Sequence, residues 1–275
     1  MKLVTVATHD TAYFQALMES CQRHGVNISV LGWGQPWKGF SMKIALLIEY
    51  LSECDPDEVI CFVDAYDVIV LRPLDDLERQ YRDHLEKGGA GIVISREERG
   101  WYDWILTLCF DKCNGYLLNS GTYIGRAGAI LSMVKGICTS GACKDKDADD
   151  QRLITNYCKE NPGLIDVDAD FQWFLVWGFL DDKVGSKVSI GRDRELIYDQ
   201  EKRPFLLHRP GNADMSDVLK RLGYEGDWKG TARGIAYYPK VILHHVKHLM
   251  SRNLASIIFI VVLLFLLRSR MSRRI

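Results

Sequence analysis

The chain has 275 residues, enough for one large α/β domain and a short appendage, and 47% of them are hydrophobic, which excludes global disorder. Its 35 basic and 36 acidic residues leave a formal charge of −1, so no field recruits nucleic acid and no nucleic-acid partner is expected. The eight cysteines (Cys21, Cys54, Cys61, Cys109, Cys113, Cys138, Cys143, Cys158) form no CxxC pair and no zinc-spaced set.

In chain order, residues 3–7 make a β-branched strand, an apolar run far too short for a signal peptide. Phe14, Leu17, Met18 and Cys21 recur at helical spacing and predict a helix over 13–24 that stops at Gly25. A second strand covers 27–31, a Gly/Trp loop 32–39, and a helix capped by Ser41 runs to about residue 51. The run 59–63 is a strand too apolar to face water, with Cys61 packed as a small hydrophobe. A helix over 74–85, a strand over 90–94, a strand over 116–124 interrupted by Gly121 and a helix over 127–136 follow. Asp149 opens a helix reaching residue 159, with carboxylates in its first turn where the dipole favours them. A short strand over 205–207 ends at His208. Apolar strands separated by helices imply an α/β fold with a mostly parallel sheet covered on both faces. Cys109/Cys113 and Cys138/Cys143 are spaced to pair in an oxidising lumen, with reduced thiols an equal alternative.

Residues 254–267 are apolar and uncharged, between Arg252 and Arg268, Arg270, Arg273 and Arg274. As a helix they span roughly 21 Å against about 30 Å of bilayer hydrocarbon, a deficit that snorkelling arginines and local thinning accommodate. The expected organisation is a catalytic domain over 1–235, a basic juxtamembrane segment over 236–253, a single-pass C-terminal membrane anchor over 254–267 and a basic tail over 268–275. An internal membrane of endoplasmic-reticulum or Golgi type suits such an anchor. Charge cues conflict on its orientation, because both flanks are basic.

The chemistry concentrates in Phe62-Val63-Asp64-Ala65-Tyr66-Asp67-Val68. Ligands bind beyond the carboxyl ends of strands in open sheets, and two ionised carboxylates beside an apolar strand repel unless a cation separates them. Hard oxygen donors suit Mg²⁺ or Mn²⁺, and such an ion neutralises the diphosphate of a leaving nucleotide. His208, at the end of a distant strand, supplies a candidate third ligand. The run Leu118-Asn119-Ser120-Gly121-Thr122-Tyr123-Ile124-Gly125 allows close backbone approach, with Asn119 offering a donor and an acceptor to sugar hydroxyls. Asp149 and Asp150 are candidate acceptor-side carboxylates, one of them a general base if transfer inverts. Taken singly, each has a structural reading: a turn cap, a buried histidine, a glycine bulge, a helix start. The spacing of Asp64 and Asp67 does not fit the DxDx[TV] motif of haloacid-dehalogenase phosphatases, and no GxGxxG follows the first strand.

Together the segments resemble the glycosyltransferase domain of the procollagen lysyl hydroxylase/glycosyltransferase proteins. The match runs in order through 4–8, 31–34 with Trp37, 42–44, 62–69, Trp101, 118–125, 149–153, Phe171-Gln172, and His208 with Gly211, covering roughly the first 210 residues. The resemblance implies a GT-A-like single domain and a metal-dependent transferase moving a hexose from a UDP-sugar to a hydroxyl-bearing protein or glycan. It implies that Asp64, Asp67 and His208 hold Mn²⁺. Thr5, Val6, Ala7, Thr8 and Tyr66 would cradle the uridine, with Tyr66 stacked on the base. Lys43 would lie near the nucleotide, and Trp101, Asn119, Asp149 and Asp150 would line the sugar and acceptor side.

Four departures bear on this. The glycine-rich stretch before Lys43 is shortened to Gly39-Phe40-Ser41-Met42. Asp214 stands where the family places a diphosphate-facing lysine, leaving Arg209, beside Gly211, as the substitute. The family's hydroxylase modules and signal peptide have no counterpart in these residues. These departures keep two alternatives open: a catalytically silent carbohydrate-binding scaffold of the same fold, or a nucleotide-sugar hydrolase.

Overall fold

A computed structural model describes residues 1–97, 111–139, 149–178, 182–211 and 213–226. They lie in one compact unit, Met1–Asp103 with Asp111–Ala232. The strands are β1 (Lys2–Val6), β2 (Ile28–Leu31), β3 (Val59–Asp64), β4 (Val68–Val70), β5 (Ile92–Glu97), β6 (Leu117–Arg126), β7 (Ile165–Asp168), β8 (Phe174–Val176), β9 (Val188–Ile190), β10 (Leu196–Tyr198) and β11 (Leu206–His208). The helices are α1 (Phe14–Arg23), α2 (Phe40–Ser52), α3 (Asp75–Glu86), α4 (Ala127–Thr139), α5 (Asp150–Glu160), α6 (Asp182–Gly185) and α7 (Ser216–Arg221). The expected anchor at 254–267 lies outside the described residues, among which no helix is long and apolar enough to cross a membrane.

The main sheet has the order β2-β1-β3-β6-β5-β7. The first three strands are parallel, as the alternation of strands and helices predicts. β6 runs antiparallel to both β3 and β5, so the centre of the sheet is mixed. β3 explains its own unbroken apolar sequence. Ile60 and Phe62 face a cluster with Ile44, Leu47, Ile130, Met133 and Ile154. Val59, Cys61 and Val63 face Leu17, Leu77, Tyr81 and Phe174 on the other side. A strand covered on both faces has no polar face to alternate with.

A second sheet, β4-β11-β8, contains the short strand expected over 205–207, found at Leu206–His208, between two strands the sequence reading did not mark. Its register pairs His208 with Val68, antiparallel, and the Arg209 amide donates to the Asp67 carbonyl at 2.8 Å. The third cluster, with Ile69, Leu175, Leu207, Met215 and Leu219, holds this sheet and α7 together.

Two local expectations change. Gly39, with φ 98°, occupies the N-cap of α2, and Ser41 falls inside its first turn. The Cys109/Cys113 pairing is overturned, because Cys113, just before β6, is bonded to Cys158 on α5. Sequence proximity suggested the neighbour, but helix packing on the sheet brings residues 45 apart to a Cα–Cα distance of 6.1 Å. Cys138 is also disulfide-bonded, and its suggested partner Cys143 lies outside the described residues.

Candidate active site

β3 ends at Asp64, and the tight link to β4 places Asp67 three residues later at the carboxyl edge of the sheet. The β4–β11 register delivers His208 to the same point. One ligand atom from each of Asp64, Asp67 and His208 lies within 4.8 Å of the others. His208 is 2% exposed. Its Nε2 is 3.2 Å from Asp67 Oδ1, but among the described residues it has no aligned hydrogen-bond partner. Burial opposes charging of this imidazole, yet Asp67, Asp64 and Glu97 outweigh it and raise its pKa above the ordinary value. A buried ring nitrogen and two carboxylates converging on one point form a donor set that fits a divalent ion accepting two oxygens and an imidazole.

The strand opposite shows why Gly121 is glycine. A Cβ there would lie 2.7 Å from His208 Nδ1 and 2.8 Å from Asp64 Oδ2. Between Ile94↔Tyr123 and Arg96↔Leu118 the β5–β6 register shifts, and residues 119–122 bulge toward the site. Ser95 Oγ donates to the Asn119 carbonyl at 3.1 Å, and Thr122 Oγ1 donates to Ser95 Oγ at 2.8 Å.

The structure reassigns several residues. Asn119 was read as a sugar contact, but it is 2% exposed and its amide is engaged inside the protein. Nδ2 donates to Glu97 at 2.8 Å, while Oδ1 accepts from the Gly121 amide at 3.0 Å and lies 2.8 Å from His208 Nδ1. Lys43 was placed near the nucleotide. It bridges Asp64 (2.6 Å) and Asp150 (2.7 Å), over the Phe62 ring. Burial pulls the Lys43 pKa down, but the charges of Asp150 and Asp64 hold it well above the ordinary lysine value. Thr5, Val6 and Ala7 are buried in the sheet, and Thr5 Oγ1 donates to the Val63 carbonyl at 2.7 Å, so their side chains cannot cradle a ligand. Thr8 is buried too, but its amide reaches the edge and donates to the Tyr66 hydroxyl at 3.0 Å. The half-buried Tyr66 ring lies 6.0 Å from His9 and 6.4 Å from Phe14, centroid to centroid.

On the acceptor side, Asp149 caps α5, accepting from the Arg152 amide at 3.1 Å. Asp150 accepts from Ser120 Oγ at 3.2 Å as well as from Lys43. Thus Lys43 ties the carboxylates at the ends of β3 and the start of α5 into one charged cluster. Arg209 stacks over Trp177 at 4.0 Å and donates to the Trp177 and Asp214 carbonyls. The Asp214 carboxylate accepts from Tyr13, from the Ser216 amide and from the Ser216 hydroxyl, fastening the start of α7. Gly211 adopts φ 75° in the turn after β11. Trp101 lies outside the described residues. Glu97, Ser120 and the bridging position of Lys43 escaped the sequence reading. Glu97 closes β5 inside the charged run Arg96-Glu97-Glu98-Arg99, where nothing in the sequence marks it as the partner of Asn119.

Comparison with known proteins places this arrangement. The family model described as the PLOD GT domain matches residues 1–224. A procollagen-lysine,2-oxoglutarate 5-dioxygenase of Drosophila melanogaster is 30% identical over 146 residues, covering 49% of this chain and 20% of the relative. The multifunctional procollagen lysine hydroxylase and glycosyltransferase LH3 of Rattus norvegicus is 28% identical over 238 residues, covering 80% of this chain and 30% of the relative. The chain thus spans less than a third of the length of these two relatives. The crystal structure of galactosyltransferase LgtC, with donor and acceptor sugar analogs, superposes with a TM-score of 0.50 at 13% identity, over 87% of this chain and 100% of LgtC. That likeness shows the fold, a mixed sheet flanked by helices of the GT-A glycosyltransferase type. Over residues 1–224, this chain belongs to the family of PLOD glycosyltransferase domains.

Proposed function

We propose that the chain is a metal-dependent transferase that moves a hexose from a UDP-sugar to a hydroxyl group on a protein or glycan. The observation that carries this reading is the convergence of buried His208 with Asp64 and Asp67, ligand atoms within 4.8 Å of one another, at the carboxyl edge of the family's sheet. Asp64, Asp67 and His208 would hold Mn²⁺ or Mg²⁺. Such an ion supplies positive charge opposite the diphosphate of the leaving nucleotide. Tyr66 and the Thr8–His9 backbone form the platform for the base. Lys43 keeps Asp64 and Asp150 from repelling each other, which fixes the donor edge relative to the acceptor edge. Asp150, held by Lys43 and Ser120, orients the acceptor hydroxyl. Asp149 takes its proton if transfer inverts; if transfer retains, both carboxylates position the acceptor.

A second reading, a silent sugar-binding scaffold, draws on Asp214 and Arg209. Asp214 is committed to Tyr13 and Ser216, and Arg209 to two backbone carbonyls, so neither is a ready substitute for a diphosphate-facing lysine. UDP release by the full chain from a panel of UDP-sugars, with Mn²⁺ and with EDTA, beside Asp64→Ala/Asp67→Ala, separates the readings. Metal-dependent release that the double variant lacks supports the transferase. Mn²⁺-dependent UDP binding without release under any acceptor supports the scaffold, and release insensitive to acceptor marks a hydrolase. The uncharged run 254–267 carries the further proposal of a membrane anchor of an internal membrane. Extraction of the full chain by alkaline carbonate would refute it.

A further inference from the structure

We infer that Glu97 and Asn119 are positioning residues that select the tautomer of His208 in which Nε2 is free to take a metal ion. The inference rests on reading Asp64, Asp67 and His208 as a metal site.

The hydrogen-bond directions follow without reference to any hydrogen position. The Gly121 amide can only donate, so the Asn119 atom 3.0 Å from it is the carbonyl oxygen, Oδ1. The opposite end, Nδ2, then faces Glu97 Oε1 at 2.8 Å, where a carboxylate accepts. Oδ1 has no proton to give, so His208 Nδ1, 2.8 Å away, must donate to it. A neutral imidazole with its proton on Nδ1 carries its lone pair on Nε2.

This selection works against the local field. Asp67 Oδ1 lies 3.2 Å from Nε2, and Asp64 is adjacent, so the carboxylates alone favour a proton on Nε2. That tautomer has no lone pair to offer an ion. The Asn119 oxygen opposes it, and Glu97 keeps the amide from turning its NH₂ toward the ring. All three side chains are buried, with Glu97 8%, Asn119 2% and His208 2% exposed, so water does not readily substitute for any of them. Beyond the register shift Glu97 opposes Leu117, which puts Glu97 and Asn119 on one face of the sheet as diagonal neighbours. Asn119 therefore acts through His208.

The test uses Mn²⁺ alone as probe, with free ion measured by electron paramagnetic resonance, on wild type, Asn119→Ala, Glu97→Ala, Glu97→Gln and Asp64→Ala/Asp67→Ala. Long-range ¹H–¹⁵N NMR on the metal-free proteins, at a pH where the ring is neutral, reads the His208 tautomer directly. Wild type is expected to carry its proton on Nδ1. Asn119→Ala and Glu97→Ala should shift it toward Nε2 and weaken Mn²⁺ binding about 10- to 100-fold, the usual effect of losing a partner behind a ligating histidine. Glu97→Gln, which retains an acceptor oxygen, should stay near wild type. If Asn119→Ala does not fold, Glu97→Ala carries the comparison. A wild-type ring protonated on Nε2, or Mn²⁺ affinity unchanged in a folded Asn119→Ala or Glu97→Ala variant, overturns the proposal. If wild type binds Mn²⁺ no better than the double-aspartate variant, the metal reading itself fails. The NMR result then still decides whether the relay sets the tautomer.

Discussion

Gly121→Ala tests the geometry of the proposed metal site with the smallest available perturbation. The glycine lies within β6, where its φ is not in the left-handed region, so the backbone tolerates alanine and even gains about 0.5–1 kcal/mol from reduced chain entropy. The added methyl meets His208 Nδ1 at 2.7 Å and Asp64 Oδ2 at 2.8 Å, where ordinary contact begins at 3.4 Å. The carboxylate must therefore retreat by roughly 0.6 Å, and the ring, whose Cε1 stands closer to the methyl than Nδ1 does, by more than roughly 0.7 Å, several times the tolerance of about 0.2 Å for a metal–ligand distance. Overpacking costs about 1–3 kcal/mol. Net of the entropic gain this leaves about 0–2.5 kcal/mol, so the melting temperature should fall by no more than about 10 °C, at roughly 2–4 °C per kcal/mol for a domain of this size. Mn²⁺ affinity should fall at least tenfold, and the thermal stabilisation that Mn²⁺ confers on wild type should largely vanish. Calorimetric titration with Mn²⁺ and melting curves with and without the ion measure both quantities. If Gly121→Ala binds Mn²⁺ with wild-type affinity, Asp64 and His208 are not ligands of one ion, and the site reading is wrong.

Three further outcomes follow from other contacts. Reducing the Cys113–Cys158 bond, or substituting either cysteine with serine, frees a 45-residue loop and should cost about 4 kcal/mol by the chain-entropy relation, visible as a lower denaturant midpoint. Lys43→Met leaves Asp64 and Asp150 facing each other without their shared cation. It should destabilise the metal-free protein by about 3 kcal/mol, and adding Asp150→Asn should recover part of that loss, which a double-mutant cycle in urea would reveal. Asp214 is held below the usual carboxylate range by the Ser216 amide and hydroxyl and by Tyr13, against a smaller opposing effect of burial. A depressed folded pKa contributes stability above the unfolded value near 4 and loses it as pH falls through the folded one. Wild type should therefore exceed Asp214→Asn in stability at neutral pH, with the difference closing below about pH 4 in parallel denaturation series. A gap that persists at pH 2 would show that Tyr13 and Ser216 do not depend on the Asp214 charge.

Sequence alone determined what depends on local spacing. The period of Phe14, Leu17 and Cys21 marked α1, and the unbroken apolar run of β3 marked a strand buried on both faces. The carboxylates of Asp64 and Asp67 were legible as a site because they follow that strand directly. Aligned segments through residue 211 identified the family. Only the tertiary structure decided direction, register and facing. Nothing local told β6 to run antiparallel between β3 and β5, since a central strand is buried on both faces in either direction. The pairing of β11 with β4, which carries His208 to Asp67, is a contact between segments about 140 residues apart with short strands and no periodic signal. Asn119 and Lys43 were singled out by chemical type and assigned to ligands, and the structure shows partners for them inside the protein, because a residue's donors and acceptors can be read from its name and their partners cannot. Those partners are set by burial. Once Glu97, Asn119 and His208 are removed from water, each polar atom must be matched within the protein or left for a ligand, and only the packed fold determines which.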